Sequence, residues 1–128
     1  MKFKGDNILS FIKIDDLLSF IELRDREIMP MMRLLHMYPE MMPQMVCDKG
    51  AIRHIFSGSH VMAPGLTSEG GIIAEGLEKG AAVAVMAEGK KHAMAVGYLS
   101  MSSKEIKETG KGMAIEIIQY LNDSLWKD

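Results

Sequence analysis

The chain has 128 residues, 48% of them hydrophobic and 25% charged, with a formal net charge of −2. These values are typical of one globular domain with a small appendage, and they exclude a globally basic nucleic-acid-binding chain, so any such site has to be a local patch. The single cysteine excludes an internal disulfide, and no apolar run approaches the roughly 18 residues of a membrane span, so we expect a cytoplasmic protein.

Two apolar runs in residues 8–23, ILSFIKIDDLLSFIEL, predict a β-hairpin that folds at its pair of aspartates. Pro30 then predicts the first position of a short helix that ends before Pro39. The stretch YPEMMP reads as an extended linker. We therefore expect a boundary there, with an incomplete N-terminal region over residues 1–42 and a second domain over residues 43–128.

The second domain begins with a short strand, QMVC, and a helix over residues 49–57. Asp48 is suited to cap this helix and Gly58 is suited to end it. The stretch HVMA predicts a strand closed by a turn at Pro64–Gly65, and GIIA predicts one more short strand.

The clearest hairpin lies in residues 81–101, with its tip at Glu88–Gly89–Lys90. Its first strand is apolar on both faces, which is typical of a strand inside a closed or sandwiched sheet. A capping box from Ser102 to Glu105 predicts a short helix, and MAIEIIQYL predicts a last strand. Many short strands with brief helices indicate a small, mainly β (α+β) barrel.

The helix over residues 49–57 carries a small positive strip. Lys49, Arg53 and Ser57 are spaced i, i+4 and i+8, opposite an apolar stripe. Gly50 costs a helix up to about 1 kcal/mol relative to alanine. One interpretation is that it leaves backbone N–H groups bare for a phosphate of nucleic acid. The other is that the glycines of this region only make turns and allow close packing.

The sequence offers little for catalysis or metal binding. It contains no phosphate-loop or dinucleotide fingerprint, and its four histidines lack the spacing of a helical zinc site. Cys47 falls in an apolar strand, where a buried and inert thiol is expected rather than a nucleophile. The lysines at residues 90–91 and after Ser103 predict solvated surface. We therefore expect no enzyme, no metal and no cofactor.

Thirteen methionines are unusual for this length. Most are expected to fill the core, but those between Met29 and Met45 are also compatible with an apolar seam. A second hypothesis is therefore a protein-interaction module that docks a partner subunit through this seam.

Four motifs in order, RLLHMYP, DKGAIRHIFSGSHVMAPGLTS, AVAVMAEGKKHAMAVGYLSMS and GKGMAIEIIQYLNDSLW, resemble the malignant T-cell-amplified sequence family of translation factors. The resemblance covers about residues 8 to 127 and is greatest to the C-terminal PUA domain of that family. It implies a PUA-type mixed-sheet pseudobarrel with short helices. Family members carry a full domain before the PUA domain, and this chain matches only its last hairpin and helix.

The function implied by the resemblance is RNA binding in translation initiation at the small ribosomal subunit. It includes removal of deacylated tRNA, ribosome recycling and reinitiation, with a density-regulated-protein-like partner. The implied RNA is the tRNA acceptor end. The implied RNA-binding residues are Lys49, Gly50, Arg53, Ser57, Gly58, Ser59, Ala63, Pro64 and Gly65. An RNA-binding accessory domain of an RNA-modification system is a further alternative.

Overall fold

The computed structural model describes residues 2–3, 8–14, 17–23, 29–30, 35, 38, 41–89 and 93–120. Short strands dominate, as the sequence predicted. In chain order the elements are β1 Lys2–Phe3, β2 Ile8–Ile14, β3 Leu17–Leu23, β4 Met29–Pro30, β5 Gln44–Cys47, a 3-10 turn Lys49–Ala51, α1 Ile52–Phe56, β6 Val61–Met62, α2 Pro64–Thr67, β7 Ala82–Ala87, β8 Ala95–Leu99, α3 Ser103–Thr109 and β9 Met113–Tyr120.

The larger of two sheets is mixed and curls into a half-barrel. Its strand order is β1-β9-β8-β7-β5, and β6 pairs with β9 off this path. β5 and β7 are parallel, whereas the other pairs of this sheet are antiparallel. A parallel pair needs a long crossover, and here it carries the 3-10 turn, α1, β6 and α2. The predicted mixed-sheet pseudobarrel with short helices is confirmed.

Successive residues of β7 face two different cores, because side chains alternate across a strand. Val83 and Val85 face the core that the crossover covers, and Ala84 and Met86 face the other. The burial on both faces that was predicted for the first strand of the hairpin in residues 81–101 is confirmed. The crossover core includes Met45, Cys47, Ile55, Val61, Leu66, Leu99, Ile106, Ile115 and Ile117. The second core includes Leu35, Met42, Val96, Tyr98 and Ile118.

The predicted N-terminal hairpin is confirmed, since β2 and β3 are antiparallel, although its tip lies outside the described residues. The helix start predicted at Pro30 is wrong. Met29 and Pro30 form an edge strand against β3, and edge strands are where sheets tolerate proline, because one side of such a strand has no ladder to donate to. Gln119 Nε2 donates to the Pro30 carbonyl at 3.0 Å, which ties this segment to the larger sheet.

Two predictions in the crossover are also wrong. Pro64 and Gly65 do not form an isolated turn but begin α2, with proline in the first turn, where its missing N–H costs nothing. The strand predicted at GIIA is reduced to a single bridge between Ile72 and Val46. The predicted capping box is confirmed: Glu105 N–H donates to the Ser102 hydroxyl at 3.2 Å, and Ser102 N–H donates to Glu105 Oε1 at 3.1 Å.

Part of the methionine-rich seam is core. Met45 is fully buried and Met42 is 9% exposed, whereas Met41 is 41% exposed. Met45 belongs to the crossover core and Met42 to the second core. Both side chains fill space in these cores, as was expected of most methionines.

Cys47 is buried in the crossover core, as predicted. Burial, and secondarily the charge of Asp48, raises the pKa of its thiol from an ordinary 9.0 to about 12. The thiolate is the reactive form of cysteine, so this thiol is inert in the folded protein at neutral pH.

Gly97→Ala tests the packing of β8 on β9, because a Cβ at Gly97 would overlap the backbone carbonyl of Glu116. We expect this overpacking to lower the free energy of unfolding by about 1–3 kcal/mol in urea titrations. Gly50→Ala is the matched control, because a Cβ there lies no closer than 3.4 Å, at Asp48 Oδ1. It should leave stability unchanged or raise it by up to about 1 kcal/mol. Equal effects of the two substitutions would contradict the packing.

Labelling of Cys47 with a thiol reagent at pH 8 should proceed only through unfolding, and urea should accelerate it strongly. Because the pKa of this thiol is higher in the folded than in the unfolded state, its contribution to the free energy of unfolding is greatest while the thiol is protonated in both states. This contribution is present below pH 9.0 and is lost as the pH rises toward about 12. Rapid labelling in native buffer would show that the thiol is accessible.

Candidate nucleic-acid interface

The helical segment formed by the 3-10 turn and α1, residues 49–56, is fixed at both ends. Asp48, in an extended conformation, accepts a hydrogen bond from Ala51 N–H at 3.0 Å and so caps the 3-10 turn. α1 ends at Phe56 with Ser57 as its C-cap, and Gly58 follows with a φ of +91°. Ile55 anchors the helix in the core, with Ala51, Ile52 and Phe56 packed beside it. The predicted helix, its cap and its apolar stripe are therefore confirmed, although its first turn is 3-10.

An open groove of about 1110 Å³ lies beside this helix. It is bounded by the helix on one side and by β6, the start of α2 and the start of β9 on the other. Of the residues predicted to bind RNA, the following line the groove: Gly50, Ser57, Gly58, Ser59, Pro64 and Gly65.

Lys49 and Arg53 do not line this groove. Both side chains are exposed, as predicted, but they border a second cleft of about 420 Å³ together with Ile52 and Phe56. Ser57 borders both cleft and groove. The helix thus separates two surfaces: a cationic face, formed by Lys49 and Arg53, and the groove.

Ala63 belongs to neither surface. Its side chain is fully buried in the crossover core, and its N–H donates to the Gly112 carbonyl at 2.8 Å. The resemblance placed it in the RNA site because it follows β6 in sequence. In the structure the side chain at this position points into the core, so it is not accessible to RNA.

Two main-chain donors in the first turn are already occupied by protein carboxylates. Lys49 N–H donates to Glu88 Oε1 at 3.2 Å, and Ala51 N–H donates to Asp48 Oδ1. Asp48 Oδ2 in turn accepts from the hydroxyl of Ser68. The interpretation that this turn offers bare N–H groups to a phosphate is therefore wrong for Lys49 and Ala51. Two carboxylates at the same place also oppose an anion there.

The three glycines of the predicted site have different structural roles. Gly58 combines a φ of +91° with close packing, since a Cβ would lie 2.8 Å from the hydroxyl oxygen of Tyr120. Gly65 packs against Ala51, whose Cβ would be 3.3 Å away. Gly50 has neither constraint and is exposed on the groove wall. Packing therefore explains the first two glycines but not Gly50.

The groove also contains side chains that the sequence did not point to. His54 follows Gly50 by one helical turn and could have been found from that spacing. Met62 and Met113 meet because β6 pairs with β9, a contact between residues distant in sequence. His60 also lines the groove, and its Nδ1 accepts from Ile117 N–H at 3.0 Å, which holds the ring in one orientation.

The described part of the chain contains no group of three or more His, Cys, Asp or Glu residues that could hold a metal ion. None of its helices has the length and hydrophobicity needed to cross a bilayer. The candidate site consists of the groove and the cationic face.

Comparison with known proteins is consistent with such a surface. The family model described as the PUA domain matches residues 43–121. The malignant T-cell-amplified sequence 1 homolog of Drosophila melanogaster is 49% identical over 84% of this chain and 59% of its own length. Translation machinery-associated protein 20 of Saccharomyces cerevisiae is 40% identical over 96% of this chain and 68% of its own length. The chain thus spans about three fifths to two thirds of these relatives.

Solved structures show the same fold. A hypothetical protein from the archaeon Pyrococcus horikoshii has a TM-score of 0.70 at 30% identity, over 93% of this chain and 75% of that one. A chain of the archaeal box H/ACA sRNP Nop10–Cbf5 complex has a TM-score of 0.60 at 26% identity, over 79% of this chain and 30% of that one. This chain belongs to the malignant T-cell-amplified sequence family, with a PUA domain, an RNA-binding fold, over residues 43–121.

Proposed function

We propose that this chain is a non-catalytic RNA-binding module of a cytoplasmic translation factor, acting at the small ribosomal subunit, and that it binds the acceptor end of tRNA. One observation carries the proposal: a cationic face and an open groove share one short helix of a PUA domain. The names of the relatives point to the translation machinery. Removal of deacylated tRNA, recycling and reinitiation are the steps in which such a module would serve.

The positive charge of the module is local, since the whole chain has a formal net charge of −2. Among the described residues, two lysines of α3 lie beside carboxylates: Lys104 lies 3.9 Å from Glu108, and Lys107 pairs with Glu75. These exposed pairs reduce the positive potential around α3. Among the residues that the structure describes, no carboxylate side chain lines the cleft that Lys49 and Arg53 share. This contrast favours the cationic face as the place where phosphates bind.

A density-regulated-protein-like partner is part of the proposal as a feature of the whole factor. The chain spans 59% of the Drosophila relative, so partner contacts of that relative need not all fall within it. The seam between Met29 and Met45 is a weaker candidate for a docking surface, because Met42 and Met45 are buried. Met31 lies outside the described residues.

A second candidate function is an accessory domain of an RNA-modification system. It is favoured by the similarity to a chain of a box H/ACA complex, although this chain covers only 30% of that one. The two functions differ in the RNA that is bound. A preference for tRNA with an intact 3′ end over box H/ACA RNA supports the translation module, and the reverse preference supports the accessory domain.

The cationic face can be tested by substitution. Lys49→Ala with Arg53→Ala should weaken binding of intact tRNA in a filter assay across a salt series. The slope of log K against log salt should fall by about 0.7 for each lost contact to a single-stranded phosphate. Removal of the tRNA 3′ end should weaken wild-type binding.

Lys104→Ala with Lys111→Ala removes the same formal charge elsewhere on the exposed surface and is the matched control. It should leave both the affinity and the salt slope near those of the wild type. Wild-type binding by the Lys49/Arg53 variant, or an equal loss in the control, would contradict the assignment.

Gly50 can be tested separately from the cationic face. A glutamine at this position favours the helix and places a longer side chain at the groove wall. Gly50→Gln should therefore raise the free energy of unfolding, by up to about 1 kcal/mol, while RNA affinity falls about fivefold or more, equivalent to about 1 kcal/mol of lost contact. Unchanged RNA affinity in a folded Gly50→Gln protein would show that RNA does not approach this wall.

A further inference from the structure

We propose that His60 is a pH-sensitive latch that holds β6 against β9, so that acid releases the short strand that forms part of one wall of the groove. The latch is the hydrogen bond from Ile117 N–H to His60 Nδ1, which is 3.0 Å long. The proposal goes beyond the proposed function, because it concerns how the groove wall is held and does not require bound RNA.

The edge of β9 that faces away from β8 is covered by two separate short strands. β6 pairs with it over residues 113–115, and β1 pairs with it over residues 119–120. Ile117 lies between these two pairings, and in the described part of the chain its strand partner is Gly97 of β8, on the opposite edge. The imidazole of His60 fills the gap and supplies the acceptor that a strand would otherwise provide.

This hydrogen bond requires a neutral imidazole ring. Ile117 is fully buried, so its N–H would lose the hydrogen bonds of water without gaining another if the ring moved away. In neutral histidine one ring nitrogen accepts and the other carries the proton. Because Nδ1 accepts from Ile117, the proton of His60 lies on Nε2.

A proton that is added to this ring can go only to Nδ1, the atom that accepts from Ile117. The imidazolium donates from both nitrogens, so the bond to the Ile117 N–H breaks. Once β6 has opened, His60 is an ordinary histidine that binds a proton at about pH 6.5. The open state therefore binds protons more readily than the latched state, and the latch is present above about pH 6.5 and lost as the pH falls below it.

Charged neighbours act on the His60 ring in opposite directions. The titratable residues of the elements around it are Asp48 and His54 in the groove lining, Glu116 and Tyr120 on β9, and Lys2 on β1. β6 itself, Val61–Met62, has none. Carboxylates favour the imidazolium, whereas positive charges oppose it. A substitution that changes only the atom at the Nδ1 position separates the hydrogen bond from these effects.

The length of β6 makes one hydrogen bond important. The strand has two residues, Val61 and Met62, so it has few ladder bonds, and His60 directly precedes it. Met62 is 51% exposed and lines the groove. Loss of the latch should therefore loosen the groove wall at Met62, while the sheet formed by β7, β8 and β9 stays closed.

The test is amide hydrogen exchange of Ile117 at pH 7.5 and pH 5.5, expressed as protection factors so that the intrinsic effect of pH on exchange is removed. In the wild type the protection of Ile117 should fall about tenfold at the lower pH, and the methyl resonance of Met62 should move over the same range. The N–H groups of Ala84 and Met94, both buried and hydrogen-bonded, are the references. Their protection should change less than about twofold.

His60→Asn is the deciding variant. The side-chain oxygen of asparagine is as many bonds from Cβ as Nδ1 is, accepts a hydrogen bond and does not titrate. This variant should keep Ile117 protected at both pH values. His60→Leu removes the acceptor and should lower that protection about fivefold or more at both. His54→Asn is the matched control, since His54 is exposed in the same groove, and it should keep the wild-type pH dependence.

Three outcomes would overturn the latch. One is a wild-type protection of Ile117 that does not depend on pH, or that depends on it equally in His60→Asn. Another is an equal loss of protection at Ala84 and Met94, because β6 would then not open on its own. The third comes from a ring ¹⁵N spectrum of the wild type, which needs no variant: a proton on His60 Nδ1 at pH 7.5 excludes the hydrogen bond from Ile117.

Discussion

Asp48 and Glu88 hold the start of the helix that carries the candidate site, and the arrangement of the surface around it depends on these two carboxylates. Asp48 caps the first turn through Ala51 N–H, and Glu88, which follows β7, accepts from Lys49 N–H. An N-terminal cap of this kind contributes about 1 kcal/mol. The same contacts place negative charge on backbone donors that would otherwise attract an anion. Under the proposed function, phosphate recognition is therefore assigned to Lys49 and Arg53 on the cationic face.

The sheet explains why the groove exists at all. β5 and β7 are parallel neighbours, so the chain must cross over between them, and the crossover returns through β6 to pair with β9. The close approach of Gly58 to Tyr120 of β9 fixes the end of the helix against the sheet. The helix and β6 are thereby held apart as two walls. The groove is therefore a consequence of this topology.

Much of the fold could be predicted because the signals are local. Alternating apolar residues gave the hairpins, and the caps at Asp48 and Ser102 gave the helix starts. Pro30 and Pro64 were placed wrongly because a proline fits the first turn of a helix, an edge strand and a turn equally well. The choice among these three structures depends on contacts with other segments of the chain, such as β3 for Pro30.

The position of the candidate site could be predicted from the sequence, but its division into a cationic face and a groove could not. The helical spacing gave the exposed face of Lys49 and Arg53, and the resemblance gave the neighbouring glycines. Glu88 could not be placed at the helix start, because it lies 39 residues away from Lys49. The pairing of Met62 with Met113 depends on the register of β6 against β9, and a shift of that register by one residue would remove the pairing. The separation of the cationic face from the groove is thus a tertiary property.

The most direct test of the proposed RNA site is an NMR titration of methionine methyl groups with a short single-stranded RNA. We expect the methyl resonances of Met62 and Met113, which line the groove, to shift on RNA binding, while those of Met45 and Met94, both fully buried, do not. RNA binding that leaves Met62 and Met113 unperturbed would contradict the account.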